Sequence, residues 1–152
     1  MKFKTIFVLL CISILNACSQ KSPHTYNSTL NLKQVMEWVI DPSADVVWDS
    51  VKYITTSSGT EEISPKTDAD WESIRNSAAT LIQAGNILLL DHLAKDNQQW
   101  HEFAKRLSTN AEVALKAAQN KDKDALFDAG GNIYNACKAC HDKYANFDKP
   151  QN

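Results

Sequence analysis

Five residues near the C-terminus, Cys137-Lys138-Ala139-Cys140-His141, constrain this chain more than any other feature. Two cysteines three apart and a histidine directly after the second form C-x-x-C-H, the attachment sequence of a c-type haem. The two thiols add across the two vinyl groups of the porphyrin, and the histidine ligates the iron from one face. The spacing has a physical reason. On a helix, residues three and four apart share a face, so Cys137, Cys140 and His141 can all reach one flat cofactor. Almost the whole chain lies upstream of the motif, so a second iron ligand is expected from upstream.

The other end of the sequence carries an export signal. Lys2 and Lys4 precede an apolar run from Ile6 to Leu15 that only Ser13 interrupts. Such a run is short for a bilayer span and reads as a signal-peptide core. It ends in Leu15-Asn16-Ala17-Cys18, which resembles a bacterial lipobox, with Asn16 in place of the usual small residue. On this reading residues 1–17 are removed and Cys18 is acylated. The alternative is an ordinary secretory signal, which leaves Cys18 a spare thiol. Asp after the cysteine favours inner-membrane retention in the lipoproteins this segment resembles. Ser19 therefore points to the periplasmic face of the outer membrane. Residues 18–30 are polar and unpatterned and read as a tether with a coil span of roughly 20 Å. Residues 31–152 form the domain.

The four cysteines are then all accounted for. Cys11 leaves with the signal, Cys18 carries lipid, and Cys137 and Cys140 carry one haem c. None is left for a disulfide, although an oxidising compartment would allow one. Export also bears on the rival readings of C-x-x-C, because bacteria attach haem covalently outside the cytoplasmic membrane. A thioredoxin-like dithiol requires a βαβ context, and no β-rich alternation precedes Cys137. A zinc site requires further ligands. His92 or His101 could serve, but their spacing gives no support.

Glycine and proline total only eight, which suits helices. Leu32, Val35, Met36, Val39 and Ile40 keep a helical apolar spacing. Asp41-Pro42 reads as an N-cap followed by proline at the first helical position, so a break or kink is expected there. Val47, Val51 and Ile54 would continue the inward face. Residues 55–70 read as a polar loop, with Thr67 or Asp68 capping the next helix. That helix turns Ile74, Ala78, Leu81, Gly85 and Leu88 inward. After a break near Lys95-Asp96-Asn97, a third helix carries Trp100, Phe103, Leu107, Ala111, Ala114 and Ala118. Asn120 to Asp124 make a turn. The last helix aligns Leu126, Ala129, Ile133, Cys137, Cys140 and Tyr144. Its haem cysteines thus fall in register with its own apolar stripe, and the haem is expected in the core. The expected fold is an all-α four-helix bundle with the cofactor near the C-terminal end of the last helix. Gly130 and Gly131 each cost about 1 kcal/mol relative to Ala inside a helix, which suggests close approach of a neighbouring helix. Gly85, on an inward face, would make room for another helix or the haem.

Export, four helices and CKACHDKY near the end of the last one make the chain similar to the class II cytochromes c, the cytochrome c′ group. The resemblance covers about Leu32 to Tyr144. In one branch of that family the iron is five-coordinate, and an apolar residue of the first helix shields the open face. In the other branch a methionine of that helix is the sixth ligand. Once Met1 is removed, Met36 is the only methionine left, and it lies near where the family places its distal residue. The resemblance therefore points to Met36 as the second iron ligand beside His141. An open site, or a histidine ligand from His92 or His101, stays open. A flexible core residue is the plain alternative for Met36. Many members carry an arginine just before the distal residue, near a haem propionate; this chain departs from that and has Lys33, three residues before Met36, as the candidate for the role. Many members dimerise through their first two helices, so a homodimer is also open. Tyr144 is expected in the haem pocket, whereas Trp38, Trp48, Trp71 and Trp100 are expected mostly in ordinary core packing.

These residues imply a function set by axial ligation. His141 and Met36 together would make a one-electron carrier that exchanges electrons with periplasmic or membrane redox proteins. A free distal position would make a binder of nitric oxide or carbon monoxide. A subunit of a larger membrane redox enzyme is the third class. No acid/base pair around a substrate pocket is visible, so no enzyme is expected. The formal charge is −2, and loss of the two signal lysines makes it more negative. With no basic stripe, nothing points to nucleic acid.

Overall fold

A computed structural model describes residues 26–27 and 29–145. The signal peptide, Cys18 and most of the tether expected from the sequence lie outside the described residues. The first rod has three pieces: α1 (Leu32–Val35), a π turn (Met36–Ile40) and α2 (Asp41–Ser50). A hairpin of β1 (Lys52–Thr56) and β2 (Gly59–Ile63) follows. Three long helices follow among the described residues: α3 (Asp68–Ile87), α4 (Gln99–Asn120) and α5 (Lys123–Tyr144). The rod packs on α3 and α5, α3 packs on α4, and α4 packs on α5. This is the all-α four-helix bundle expected from the sequence, with one added hairpin.

Side-chain chemistry fixes the helix starts. Asn31 caps α1, and Gln34 returns a bond to the Asn31 N–H, making a reciprocal capping box. Thr67 and Asp70 form the same box at α3, as the sequence indicated. Asp122 caps α5 through Ala125 N–H. Each such cap is worth roughly 1 kcal/mol. Between α4 and α5 the chain reverses at Lys121, which adopts a left-handed φ of 53°.

Asp41-Pro42 does not break the first helix. Pro42 lacks an N–H, and in an α-helix its ring would press on the carbonyl four residues back. The rod instead widens just before it, and the Asp41 N–H bonds to Met36 O, five residues back. Asp41 is not an N-cap. The residue before α2 is Ile40, which has helical dihedrals and makes no side-chain cap. Ser43 Oγ donates to Val39 O at 2.7 Å and satisfies a carbonyl inside the widened turn.

Residues 55–70 are not all loop. After Ser50 the backbone becomes extended at Val51 (φ −133°, ψ 119°), and β1 pairs antiparallel with β2 from Lys52↔Ile63 to Thr56↔Gly59. Gly59 has φ 134°, a conformation that side-chain-bearing residues rarely adopt. Ile54 is therefore exposed on a strand and not inward on a helix. Tyr53 against Phe127 (5.3 Å, edge-on) and the ion pair Lys123–Glu62 hold the hairpin to the start of α5.

The core contains small residues where helices cross. Ala78 and Ala84 of α3, Ala111, Ala114 and Ala118 of α4, and Ala129 of α5 are fully enclosed. Around them Val35, Leu81, Leu126 and Ile133 are the largest fully buried side chains. Each contributes roughly 1.5–3 kcal/mol of burial. Gly85 faces α4, where a Cβ would come within 2.0 Å of Ser108 Oγ and 2.7 Å of Ala104 O. Its role is helix–helix approach and not space for a cofactor. Gly130 and Gly131 do not mark such an approach. A Cβ on Gly130 would meet only Trp48 at 3.5 Å, and one on Gly131 would meet nothing within 4 Å.

Candidate haem cavity

One cavity of about 280 Å³ opens between the first rod, the C-terminal half of α5 and the start of α4. Cys137, Cys140 and His141 line it from α5, and Met36 lines it from the π turn. All four belong to segments running in opposite directions, so the start of the rod lies against the end of α5. Both thiols are free and half-buried. The helical register of α5 produces this arrangement. Leu126, Ala129 and Ile133 are buried on the stripe that continues through the two cysteines.

Aromatic rings form the walls. Trp48 and Tyr134 meet edge-on at 6.2 Å on one side. Trp48 is fixed by its Nε1–H, which donates to Gly130 O at 3.0 Å. Trp100 and Phe103 of α4 line the other side. Trp100 is 2% exposed, and its Nε1–H donates to Leu88 O at 2.6 Å across the α3–α4 connection. Trp38, by contrast, is 60% exposed, and Trp71 packs in the core away from the cavity.

Tyr144 does not line the cavity. It lies one layer behind, edge-on to Trp100 at 5.1 Å and to Phe103 at 6.1 Å. Its hydroxyl donates to the Asp96 carboxylate. Asp96 also accepts the backbone N–H groups of Trp100 and Gln98 at 3.0 Å each. Tyr144 is thus a buttress for the two aromatic wall residues and a latch between the end of α5 and the start of α4. The hydrogen bond from Tyr144, with those two backbone bonds, holds the Asp96 carboxyl down to about 2. Burial, with Asp96 beside it, pushes the Tyr144 phenol up to about 12.

The cavity is largely apolar, and its electrostatics follow from that. Burial first, then the neighbouring Cys140 and Asp41, pushes the Cys137 thiol up to about 11. Burial also raises Cys140. Both sulfurs are therefore neutral thiols at neutral pH. Asp41 lines the same cavity, and burial raises its carboxyl while His141 acts in the opposite direction. The sequence reading took Asp41 for a cap. Asp41 reaches the cavity because it stands one π turn beyond Met36, and the periodicity of the sequence does not show that turn.

Other candidates lie elsewhere. Lys33 is exposed and pairs with Glu37 at 3.5 Å. His101 does not line the cavity, and His92 lines a separate groove beside Leu90 and Leu93. Among the described residues no three His, Cys, Asp or Glu side chains gather as a metal-ion site. A zinc site built from the C-x-x-C cysteines and these histidines therefore finds no geometric support.

The donor set suits a covalently held porphyrin iron. Two neutral thiols, one imidazole and one thioether face a single aromatic slot, and the described residues contain no orphaned buried side-chain polar atom. Comparison with protein families gives a match over residues 85–145 to the model described as cytochrome C′. That span runs from the end of α3 through α4 and α5 and contains the whole C-x-x-C-H motif. No curated protein and no solved structure matches the chain.

Proposed function

We propose that the chain is a member of the cytochrome c′ family, whose model it matches over residues 85–145 and whose members bind covalently attached haem c, and that it is a lipid-anchored one-electron carrier ligated by His141 and Met36. Proteins of this family act as electron carriers or gas binders and are typically periplasmic. Among the described residues no helix is long and apolar enough to cross a membrane. The anchor at Cys18 rests on Leu15-Asn16-Ala17-Cys18, which resembles a lipobox.

One observation carries the choice of electron transfer. The sole methionine beyond the initiator lines the same slot as the attachment cysteines and the motif histidine. The haem supplies a one-electron ferric/ferrous couple when bound. The residues of the chain set how that couple behaves. Cys137 and Cys140 would hold the ring through thioethers, and His141 would present its imidazole from α5. Met36 presents a soft thioether, a ligand that raises the reduction potential. With His141 and Met36 both as donors, the coordination number would stay the same in both oxidation states, so little rearrangement would accompany transfer. Trp48, Trp100 and Phe103 keep water out, and Tyr134, 53% exposed, brings the edge of the slot to the surface, where a redox partner can approach.

Absorption spectra of the purified holoprotein test this directly. The expected oxidised spectrum is low-spin with a methionine-to-iron charge-transfer band, and the reduced protein is unchanged by carbon monoxide. A high-spin spectrum that shifts on adding the gas would replace this reading with a five-coordinate gas binder.

A further inference from the structure

We propose that the π turn at Met36–Ile40 is a register device that absorbs one surplus residue of the first rod and thereby aims Met36 into the haem slot. The inference rests on the reading of Met36 as an iron ligand and explains how the rod delivers it.

Each α-helical residue turns about 100° around the axis. Met36 and Trp48 are twelve residues apart. In an unbroken α-helix they would point about 120° apart. Yet both line the same slot, together with Ile40, Asp41 and Ala44 between them. A π turn takes in one residue beyond the α repeat. With one residue absorbed, Met36 and Trp48 come within about 20° of each other. The five lining residues then share one arc of about 100°, the width of a single helix face.

The local chemistry supports the assignment. The i→i−5 bond from Asp41 N–H to Met36 O closes the wide turn on the methionine itself. Pro42 follows at once, so the next residue has no N–H with which to restore the α repeat. The same bulge keeps Val35, 2% exposed, in the core while Ala44 and Val47 stay buried downstream. π-Bulges occur often at functional sites. Pro42 and the residues of the turn are positioning residues here, since they act on the iron through Met36.

Three length variants of the full haem-loaded chain test the register, read by spin state, the methionine-to-iron band and carbon monoxide binding. A chain lacking Trp38 and carrying Pro42→Ala has no surplus residue and no proline in the rod. It is expected to stay low-spin, because Met36 keeps its angle to Trp48 in a plain α-helix. A chain with one alanine inserted between Trp38 and Val39 has two surplus residues. It is expected to become high-spin and to bind the gas. The same insertion between Lys33 and Gln34, upstream of Met36, is expected to leave the iron low-spin. A low-spin spectrum after the inner insertion, or a high-spin one after the upstream insertion, would overturn the proposal. So would a high-spin shortened chain with unchanged helix content and covalent haem. If the shortened chain fails to fold, the two insertions decide. Met36→Leu separates the two levels. A low-spin iron in that variant would remove the ligand reading itself, and the register proposal with it.

Discussion

Met36 is half-buried and reaches the slot from the element facing α5, so a single atom decides between the two functions open to this family. The sulfur either occupies the distal side or merely packs there. With the thioether as ligand, Met36→Ala leaves the iron with His141 alone and takes away a ligand that favours the reduced state. The expected result is a change from low-spin to high-spin and a lower reduction potential, followed by absorption spectroscopy and potentiometric titration. An unchanged spin state would remove Met36 from the site. At this scale the sequence was informative where chemistry is local. Spacing alone picks out Cys137, Cys140 and His141, and a count of methionines with a resemblance picks out Met36; all four line the cavity. Tyr144 was assigned less well. Its place on the α5 stripe indicated burial, but a stripe does not say which neighbour fills the space between a ring and the slot. Trp100 and Phe103 fill it.

At the scale of elements, two glycines on helices should respond with opposite signs. Gly85→Ala drives a methyl against Ala104 O, a backbone atom of α4 that cannot swing away. It should destabilise by about 1–3 kcal/mol, as overpacking does. Gly131→Ala meets nothing within 4 Å on an exposed helical face, and it should stabilise by up to about 1 kcal/mol through helix propensity. Denaturant melts of the two variants check both signs. The joint between α4 and α5 has its own pH signature. Asp96 is held to about 2, below the usual carboxylate value of 3.8, chiefly by the Tyr144 hydroxyl. A carboxylate lowered in the folded state stabilises above its unfolded pKa and loses that contribution as pH falls through the folded one. The latch therefore weakens between about pH 4 and 2. Asp96→Asn should flatten that part of a plot of Tm against pH. An acid limb identical to that of the parent would show that the latch contributes nothing to folding. Helices were legible here because their apolar residues recur at three and four. The hairpin was not, since the segment from Thr55 to Glu62 is polar on both faces and offers no buried alternation to read. Gly59 and the run Tyr53-Ile54-Thr55-Thr56 were its only signals. The π turn was hidden for a related reason. Asp41-Pro42 marks a disturbance, but periodicity on either side does not say whether the chain breaks or absorbs a residue.

Across the whole molecule the bundle has two unlike ends. The slot lies where the first rod begins and α5 finishes, and the hairpin lies at the other end, against the start of α5. The polar tether enters the domain through Asn31, the cap of α1, only five residues before Met36. An anchor at Cys18 would therefore hold the haem end, and not the hairpin end, nearer the membrane. That geometry suits a carrier exchanging electrons with membrane-borne partners. It would also separate anchoring from ligation, because a lipid on Cys18 would act on location and the slot on the iron. Cys18→Ser should move the protein from the membrane to the soluble periplasmic fraction while the haem spectrum stays that of the parent. Fractionation followed by spectroscopy of both fractions checks this. Retention in the membrane would refute the lipid anchor. A changed spectrum in the released protein would mean that the tether reaches the slot itself and that anchoring and ligation are coupled.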